Sequence, residues 1–401
     1  MKYKSLRDLF YKESEAWERI YRERVNAPMT RRLPFSVHQV GRRDTYPAFL
    51  CYTEETAERI EAILLEYLRF EQVYHELPEA AMTQFLRTSL VEEIQATNDI
   101  ENVRSTRKEI RSALAAKEPE RKKHRMGSVV SKYDRIIRGE SMQLWDSRDI
   151  RQIYDEFLFD EIAAEDEKNL PDGKLFRKDA VEIVSGTQKV LHRGVVPESE
   201  IIRQMDQAIE LLHDADIPRF VRLSLFHFQF AYIHPFYDGN GRMNRLISSY
   251  LLSELLHPAV ALQLSVQIKE SRRQYYRMFE TAEAESNKGD MTPFVIGFLA
   301  FICQSIQHTT EELQEKKAVL SAGMRKLDSL GLEKGTTEEL AILLLQAAIF
   351  SETGLSLDEL ARAMHSTRVT VSRHLKTIPD RFITVTQEGR KKLYQLNLSG
   401  I

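Results

Sequence analysis

The sequence predicts a mainly α-helical protein with one small β-hairpin and a separate domain at the C-terminal end. Apolar residues recur at helical spacing, as Leu86, Leu90 and Ile94 do. The segment from Phe220 to Ile233 is apolar on nearly every face and should form the central helix. Short extended runs at residues 181–191 interrupt the helical pattern and predict the hairpin.

Bulk composition narrows the class of protein. The 401 residues are enough for about two or three domains, and a net charge of −3 argues against a polyelectrolyte binder. The two cysteines, Cys51 and Cys303, lie far apart, which argues against a disulfide framework or a cysteine metal site. The charged start lacks the apolar core of a signal peptide, and Met291 to Cys303 is too short to cross a bilayer. We therefore expect a cytoplasmic protein with no membrane partner.

The order of predicted elements divides the chain into five parts. Residues 33–49 favour an extended piece, and residues 146–165 and 291–307 each favour one helix. The parts are an N-terminal segment (1–83), a helix region (84–115), a helical core (116–310), a helix and linker (311–335) and a small C-terminal domain (336–401).

Glu101 occupies an unusual position for a carboxylate. The apolar stripe of the predicted helix over 84–102 continues through Thr97 and Glu101, so this face should be buried. Asn102 is suited to end the helix, and Thr106 has capping-box spacing to start the next. A glutamate at a helix C-terminus needs a cation nearby. The alternative is a solvated surface glutamate.

The predicted hairpin should not stand alone. Val181 to Val184 and Lys189 to Leu191 are the extended runs, and Ser185 to Gln188 lies between them. A lone hairpin is only marginally stable, so it should lie on the protein body or on a bound peptide.

The C-terminal domain has a winged helix-turn-helix pattern. Three short helices, the third expected to start after an N-cap at Ser366, precede two strand-like runs in residues 382–397. Basic residues outnumber acidic ones from Arg362 onward, which favours DNA backbone contact. The alternative is a protein-docking or dimerisation module. The candidate DNA-binding residues are Arg368, Thr370, Arg373, Lys376 and Arg390.

Residues 234–245 concentrate polar groups between two apolar helices. Glycines at 239 and 241 let backbone N–H groups converge on an anion at a helix N-terminus. Arg242 and Arg245 are three residues apart and can face the same pocket, which suits a di- or triphosphate. Asp238 is a hard oxygen ligand for Mg²⁺, and His234 can accept a proton at neutral pH. The pattern indicates a hydroxyl group attacking a nucleotide phosphate, without a Walker A loop.

The pattern His-Pro-Phe-x-Asp-Gly-Asn-Gly-Arg-x-x-Arg at residues 234–245 resembles the signature of Fic-domain proteins, over a region of about 97–307. The resemblance implies a Fic catalytic core at 116–310 that transfers AMP from ATP to a Ser, Thr or Tyr hydroxyl of a target protein, or of the protein itself. It also implies His234 as base, Asp238 as Mg²⁺ ligand, and phosphate binding by Gly239, Asn240, Gly241, Arg242 and Arg245. Tyr275 or Tyr276 would contact the adenine. Doc-type kinases of this fold have Lys where Gly241 stands, which disfavours that branch.

The resemblance also gives Glu101 a role. Thr97, Glu101 and Asn102 match the Ser/Thr-x-x-x-Glu-Gly/Asn motif of members with an N-terminal inhibitory helix. Glu101 would pair with Arg245 in place of the γ-phosphate of ATP. The hairpin would be a flap that aligns the target segment by strand pairing, through Ile183, Val184, Ser185, Gly186, Thr187, Gln188, Lys189, Val190 and Leu191.

Two alternative functions stay open. Glu101 positions a water that removes AMP in some family members, so the main activity could be the reverse reaction. A DNA-binding regulator whose Fic core only senses nucleotide is the other. Some relatives dimerise, which makes a homodimer a candidate partner besides ATP, a target protein and DNA.

Overall fold

A computed structural model describes residues 2–184, 188–330, 332–388 and 391–399. The chain divides into two compact units. The first contains Met1–Glu66 and Glu92–Ser305, and the second contains Tyr67–Val91 and Ile306–Ile401. Helices predominate throughout the described residues, with small antiparallel sheets. The mainly α-helical prediction is therefore confirmed.

The N-terminal elements of the first unit pack two short helices on a hairpin. The extended piece expected near residues 33–49 is this hairpin, with Thr30 opposite Cys51 and an irregularity between Arg32 and Ser36. Leu6, Leu9, Phe49 and Cys51 form its buried cluster. The elements are α1 (Leu6–Lys12), α2 (Ser14–Val25), β1 (Thr30–His38) and β2 (Thr45–Cys51).

Two 22-residue helices follow, α3 (Glu54–His75) and α4 (Glu79–Ile100). The predicted start of the second helix at residue 84 is late by five residues, so the predicted domain boundary there falls inside α4. Its end agrees with expectation. Asn102 adopts the left-handed conformation, with φ of 58°, and the Val103 N–H donates to the Asn98 carbonyl at 2.9 Å.

Five helices lead toward the core of the first unit. Thr106 caps the first of them in a capping box with Glu109, as predicted. The single helix expected over 146–165 is wrong, because the buried Leu158 leaves the helical conformation at φ of −123° and divides it in two. The helices are α5 (Arg107–Ala115), α6 (Glu118–Arg121), α7 (Gly127–Ile137), α8 (Ser147–Phe157) and α9 (Phe159–Glu165).

The predicted central hairpin is present as β3 (Glu182–Val184) and β4 (Val190–Arg193). Glu182 lies opposite Arg193, and the pairing is irregular after Ile183. The predicted flap residues Ser185, Gly186 and Thr187 lie outside the described residues. The hairpin precedes α10 (Glu198–His213).

The core of the first unit surrounds α11 (Arg219–Ile233), whose side chains are almost all buried. Burial of each large apolar side chain contributes about 1.5–3 kcal/mol. The buried His227 forms hydrogen bonds with the hydroxyls of Ser248 and Tyr275, so both of its ring nitrogens have polar partners. The helices that follow are α12 (Asn240–Ser253), α13 (Pro258–Ala261), α14 (Leu264–Glu270), α15 (Arg272–Glu283) and α16 (Thr292–Ser329).

The long helix α16 differs from the prediction. We expected one helix to end near Gln307 and a new part to begin at residue 311, whereas α16 is continuous for 38 residues. Leu313, Leu320 and Leu327, spaced by seven residues, are all buried and extend the apolar stripe beyond the predicted end. The boundary proposed at residue 310 therefore falls inside a helix.

The C-terminal elements of the second unit are three helices and a three-stranded sheet in which residues 391–396 form the central strand. The predicted N-cap at Ser366 is wrong, because Thr367 accepts the Thr370 N–H and caps the third helix. The order of elements agrees with the predicted pattern, and the winged-helix assignment stays a prediction. The elements are α17 (Thr336–Phe350), β5 (Leu355–Ser356), α18 (Leu357–Ala363), α19 (Arg368–Leu375), β6 (Ile383–Glu388) and β7 (Lys391–Leu396).

Among the described residues, every helix is too short or too polar to cross a membrane.

Candidate active site

The loop between α11 and α12 is held in one shape by Asn240. The Asn240 side-chain oxygen accepts the Phe236 N–H at 2.9 Å, and its amide nitrogen donates to the Phe236 carbonyl at 2.8 Å. Phe236 is buried and stacks on Tyr154, with ring centroids 3.9 Å apart. Gly239 adopts a φ of 85°, which a side chain would strain. The side chain expected to bind phosphate thus shapes the loop.

We expect Asn240→Ala to lower the thermal unfolding midpoint by roughly 5–10 °C, because two buried backbone groups of Phe236 lose their partners. Circular dichroism on heating measures this. Asn26→Ala, at an exposed helix end, should change the midpoint by no more than about 2 °C. An unchanged midpoint in Asn240→Ala would show that the loop does not depend on this clamp.

His234 begins the loop in the left-handed conformation, with φ of 52°. Its Nδ1 lies 3.2 Å from the Ala231 carbonyl, an atom that can only accept, so Nδ1 holds the hydrogen. Nε2 is then the basic nitrogen. Burial is the largest cause, and the interactions with His192 and Arg177 add to it; together they lower the pKa of His234 to about 4. At neutral pH this ring is therefore uncharged and able to accept a proton.

Arg242 lies under the loop in a buried ion pair. Its Nη1 donates to Glu161 on α9 at 2.8 Å, and both side chains are almost fully buried. Within the described residues, Arg242 Nε and Nη2 have no hydrogen-bond partner. Unpaired buried donors are costly, so these two N–H groups indicate a place for an anion. The sequence prediction missed Glu161, whose one signal was its spacing of four residues after the apolar Phe157.

Asp238 fits the expected Mg²⁺ ligand. Its side chain is 43% exposed, and one carboxylate oxygen accepts the Gly239 N–H at 2.5 Å. The other oxygen is 4.0 Å from Arg242 Nη2, beside the unpaired donors. In the part of the chain that the structure describes, no three metal-binding side chains converge. An ion here would rely on Asp238, water and phosphate oxygens, which is a usual arrangement for Mg²⁺.

Arg245 is bound by α4. It is 1% exposed, donates from Nε to Thr97 Oγ1 at 2.8 Å and from Nη2 to the Thr97 carbonyl at 3.1 Å, and pairs with Glu101 at 2.7 Å. Burial raises the pKa of Glu101, but the charge and hydrogen bond of Arg245 outweigh it and hold the pKa below its ordinary value. A Cβ at Gly241 would lie 1.9 Å from the Glu101 carboxylate. The cation expected near Glu101 is therefore Arg245, and Glu101 lies directly over the loop.

A second glutamate on the same face of α4 was missed from the sequence. Glu93 is fully buried and accepts from the Ser249 hydroxyl at 3.0 Å and from the Ser265 hydroxyl and N–H at 2.6 and 2.8 Å. Burial raises its pKa to about 7. Glu93, Thr97 and Glu101 are spaced by four residues, so one stripe of α4 joins α12 and α14.

The remaining candidates are placed as follows. Tyr275 is 4% exposed with its hydroxyl 2.7 Å from His227, which leaves the 41% exposed Tyr276 as the better adenine candidate.

Among the candidate DNA-binding residues, Arg368 pairs with Asp358 and Thr370 forms a hydrogen bond with Thr367, whereas Arg373 and Lys376 are exposed. Arg390 lies outside the described residues. The DNA-binding assignment stays a prediction. In the described part of the hairpin, Ile183, Val184 and Leu191 are exposed.

Two basic side chains beside His234 were also missed. Arg177 is fully buried and donates to the carbonyls of His234 at 2.9 Å, Asp179 at 2.6 Å and Val195 at 2.9 Å. His192 on β4 is described below. Their distance in sequence from residue 234 gave no signal of these contacts.

Comparisons with known proteins find similarities in sequence and in fold. Residues 144–252 match the family model described as Fic/DOC family. A protein adenylyltransferase Fic from Drosophila grimshawi is 40% identical over 72 residues, and one from Aedes aegypti is 41% identical over 69. These stretches cover 18% and 17% of this chain but only 13% and 12% of the relatives.

A solved structure is similar over a larger part of the chain. A Fic family protein from Desulfovibrio desulfuricans G20 aligns with a TM-score of 0.51 at 21% identity, covering 86% of this chain and 97% of that one. At this identity the likeness concerns the fold alone. The family match includes both Glu161 and the whole loop of residues 234–245, whereas Thr97 and Glu101 lie before it. The similarity to the Fic/DOC family therefore extends over residues 144–252.

Proposed function

We propose that this protein transfers AMP from ATP to a Ser, Thr or Tyr hydroxyl of a protein, itself included, and that Glu101 holds the reaction off. The observation that supports this most strongly is the pairing of a neutral base, His234, with a loop over two unpaired N–H groups of Arg242. The curated relatives are named protein adenylyltransferases, and the loop lies inside the matched segment.

The residues divide the chemistry between them. The attacking hydroxyl gives its proton to His234 Nε2, and its oxygen forms a bond to the α-phosphorus as the bond to the β-phosphate oxygen breaks and pyrophosphate leaves. Arg242 and the N–H groups at the start of α12 bind the phosphates. Mg²⁺, held by Asp238, would neutralise phosphate charge. No covalent enzyme intermediate is needed.

Inhibition follows from the partner of Arg245. Its Nη2 already contacts Glu101, so the γ-phosphate of ATP would have to displace a carboxylate of the same charge. With Glu101 in place, ATP binds in an unproductive pose.

The direct test uses ATP labelled at one phosphate. We expect the Glu101→Gly variant, with Mg²⁺, to incorporate label from the α-phosphate and none from the γ-phosphate. Gel autoradiography of the protein measures both. Label from the γ-phosphate alone would identify a kinase instead and would overturn the proposal.

The pH dependence should report the state of His234. Its lowered pKa, about 4, keeps the base uncharged above that value, so the rate of AMP incorporation should stay level from neutral pH down to about pH 5. At lower pH the rate should fall about tenfold per pH unit as the ring gains a proton, and because Glu101 raises this pKa, the fall in Glu101→Gly should begin at or below pH 4. Rates of Glu101→Gly are measured where circular dichroism shows the folded protein. A fall beginning near the ordinary histidine value of 6.5 would contradict the assignment.

Removal of AMP is a second candidate, supported by the position of Glu101. Its side chain is 33% exposed, and its charge acts on His234. A carboxylate there could orient a water toward an AMP-modified hydroxyl. Wild type, but not Glu101→Gly, should then release AMP from a modified target in the presence of Mg²⁺.

A further inference from the structure

His192 lies in the hairpin strand nearest the base. It is on β4, is 7% exposed, and its ring centroid is 6.4 Å from that of His234. Its Nε2 is 2.7 Å from the Tyr232 carbonyl, and its Nδ1 is 2.8 Å from the Glu283 carboxylate on α15. The side chain thus joins the hairpin to both α11 and α15.

The two partners determine where the hydrogens lie. A carbonyl oxygen only accepts, so Nε2 must hold a hydrogen. A neutral imidazole has one N–H, which would leave Nδ1 as a lone pair facing an ionised carboxylate. Such a contact at 2.8 Å would be repulsive. The site therefore contains one proton more than a neutral histidine beside an ionised glutamate.

We propose that His192 is a positioning residue, held as an imidazolium by Glu283, that fixes β4 beside His234 and opposes the protonation of His234. This rests on the proposed function of His234 as the base. The positive ring and the nearly buried Glu283, whose side chain is 11% exposed, form a charge-assisted hydrogen bond inside the protein. If the hairpin aligns the target segment, as the family resemblance implies, one contact both places the hairpin and sets the charge beside the base.

The other charged groups near the two rings do not substitute for this pair. Around His192 they are Glu283 on α15 and His234 on the loop, with the Tyr232 ring 5.1 Å away on α11. Around His234 they are His192, Arg177 and Glu101. Arg177 and Glu101 act in opposite directions, and removal of Glu101 in an active variant leaves the two cations unopposed.

The test measures the acid limb of the labelling rate, which is its fall at low pH, in variants that also carry Glu101→Gly. His192→Gln retains a donor for the Tyr232 carbonyl without a charge, and Glu283→Gln removes the anion that holds the extra proton. Both changes should move the midpoint of the acid limb upward by roughly half to one pH unit, since a unit charge several ångströms from His234 is lost. The rate at neutral pH in His192→Gln reports the positioning of the hairpin.

His213→Gln is the matched control. His213 also lies 2.7 Å from a backbone carbonyl, that of Leu144, but it stacks on Trp145. The acid limb of the His213→Gln variant should coincide with that of the parent Glu101→Gly protein. Unmoved limbs in both His192→Gln and Glu283→Gln, with circular dichroism showing folded proteins, would overturn the proposal.

A second measurement does not depend on labelling. In the full-length protein with ¹⁵N-labelled histidine, NMR at neutral pH should show hydrogens on both ring nitrogens of His192, assigned by the loss of its signals in His192→Gln. One protonated nitrogen would overturn the proposal. Absence of any labelling by Glu101→Gly, with both hydrogens present, would instead defeat the proposed function and leave the His192–Glu283 pair standing.

Discussion

Glu101→Gly is expected to raise self-labelling from α-labelled ATP by roughly 5- to 150-fold, the range that one coupling contact usually spans. The substitution removes the carboxylate that lies 2.7 Å from Arg245 Nη2 and leaves that guanidinium to the γ-phosphate. It also clears the space above Gly241, where the carboxylate now lies. Initial rates of label incorporation at saturating ATP and Mg²⁺ measure the effect.

The control must distinguish the effect of losing the carboxylate from the effect of placing a glycine at the end of the helix. Asp99→Gly does so, because Asp99 lies in the last turn of α4, is similarly exposed, at 35% against 33%, and pairs with Lys269 at 2.7 Å. Its labelling should remain at the wild-type level. Equal activation by both variants would mean that fraying of α4, and not release of Arg245, controls the site.

His234→Ala, introduced into Glu101→Gly, should reduce AMP incorporation by about 10²–10⁴-fold, the usual contribution of a general base. The remaining groups, Arg242 and Asp238 among them, are untouched, so ATP should still bind. Labelling rates and the binding of ATP by calorimetry together test this.

His257→Ala is a suitable control for this loss, because His257 caps the short helix α13 by accepting the Ala259 N–H and is not part of the loop. It should label within a few-fold of the parent. Retained labelling in His234→Ala would remove the base from the mechanism, even if transfer of AMP itself were established.

Local patterns predicted the fold and the loop well. The capping box at Thr106, the left-handed Asn102 and the hairpin around residues 181–191 depend on neighbouring residues alone, and each is present. The loop of residues 234–245 was recognisable because its chemistry is contiguous in the chain. Glu101 could be singled out from the sequence for a different reason, because a carboxylate on a buried helical face needs a cation nearby.

The missed residues depend on contacts that have no local signal. Glu161 meets Arg242 across 81 residues, and Glu93 meets Ser265 across 172. Neither spacing is periodic, so only the tertiary structure brings the groups together. The predicted end of α16 was wrong for another reason. Charged residues separate the leucines of its buried face, so the apolar periodicity was not recognised in the sequence.

Gly241 constrains how this protein can change over evolutionary time. A Cβ there would lie 1.9 Å from the Glu101 carboxylate, so glycine at 241 leaves room for Glu101 beside the loop. Positions 101 and 241 lie 140 residues apart in numbering (241 − 101), yet a side chain at 241 would require the Glu101 carboxylate to shift. A homologue that acquires a larger residue at 241 would therefore disturb the pair of Glu101 with Arg245. We therefore expect these two positions to covary, with glycine at 241 accompanying every lineage that retains the glutamate.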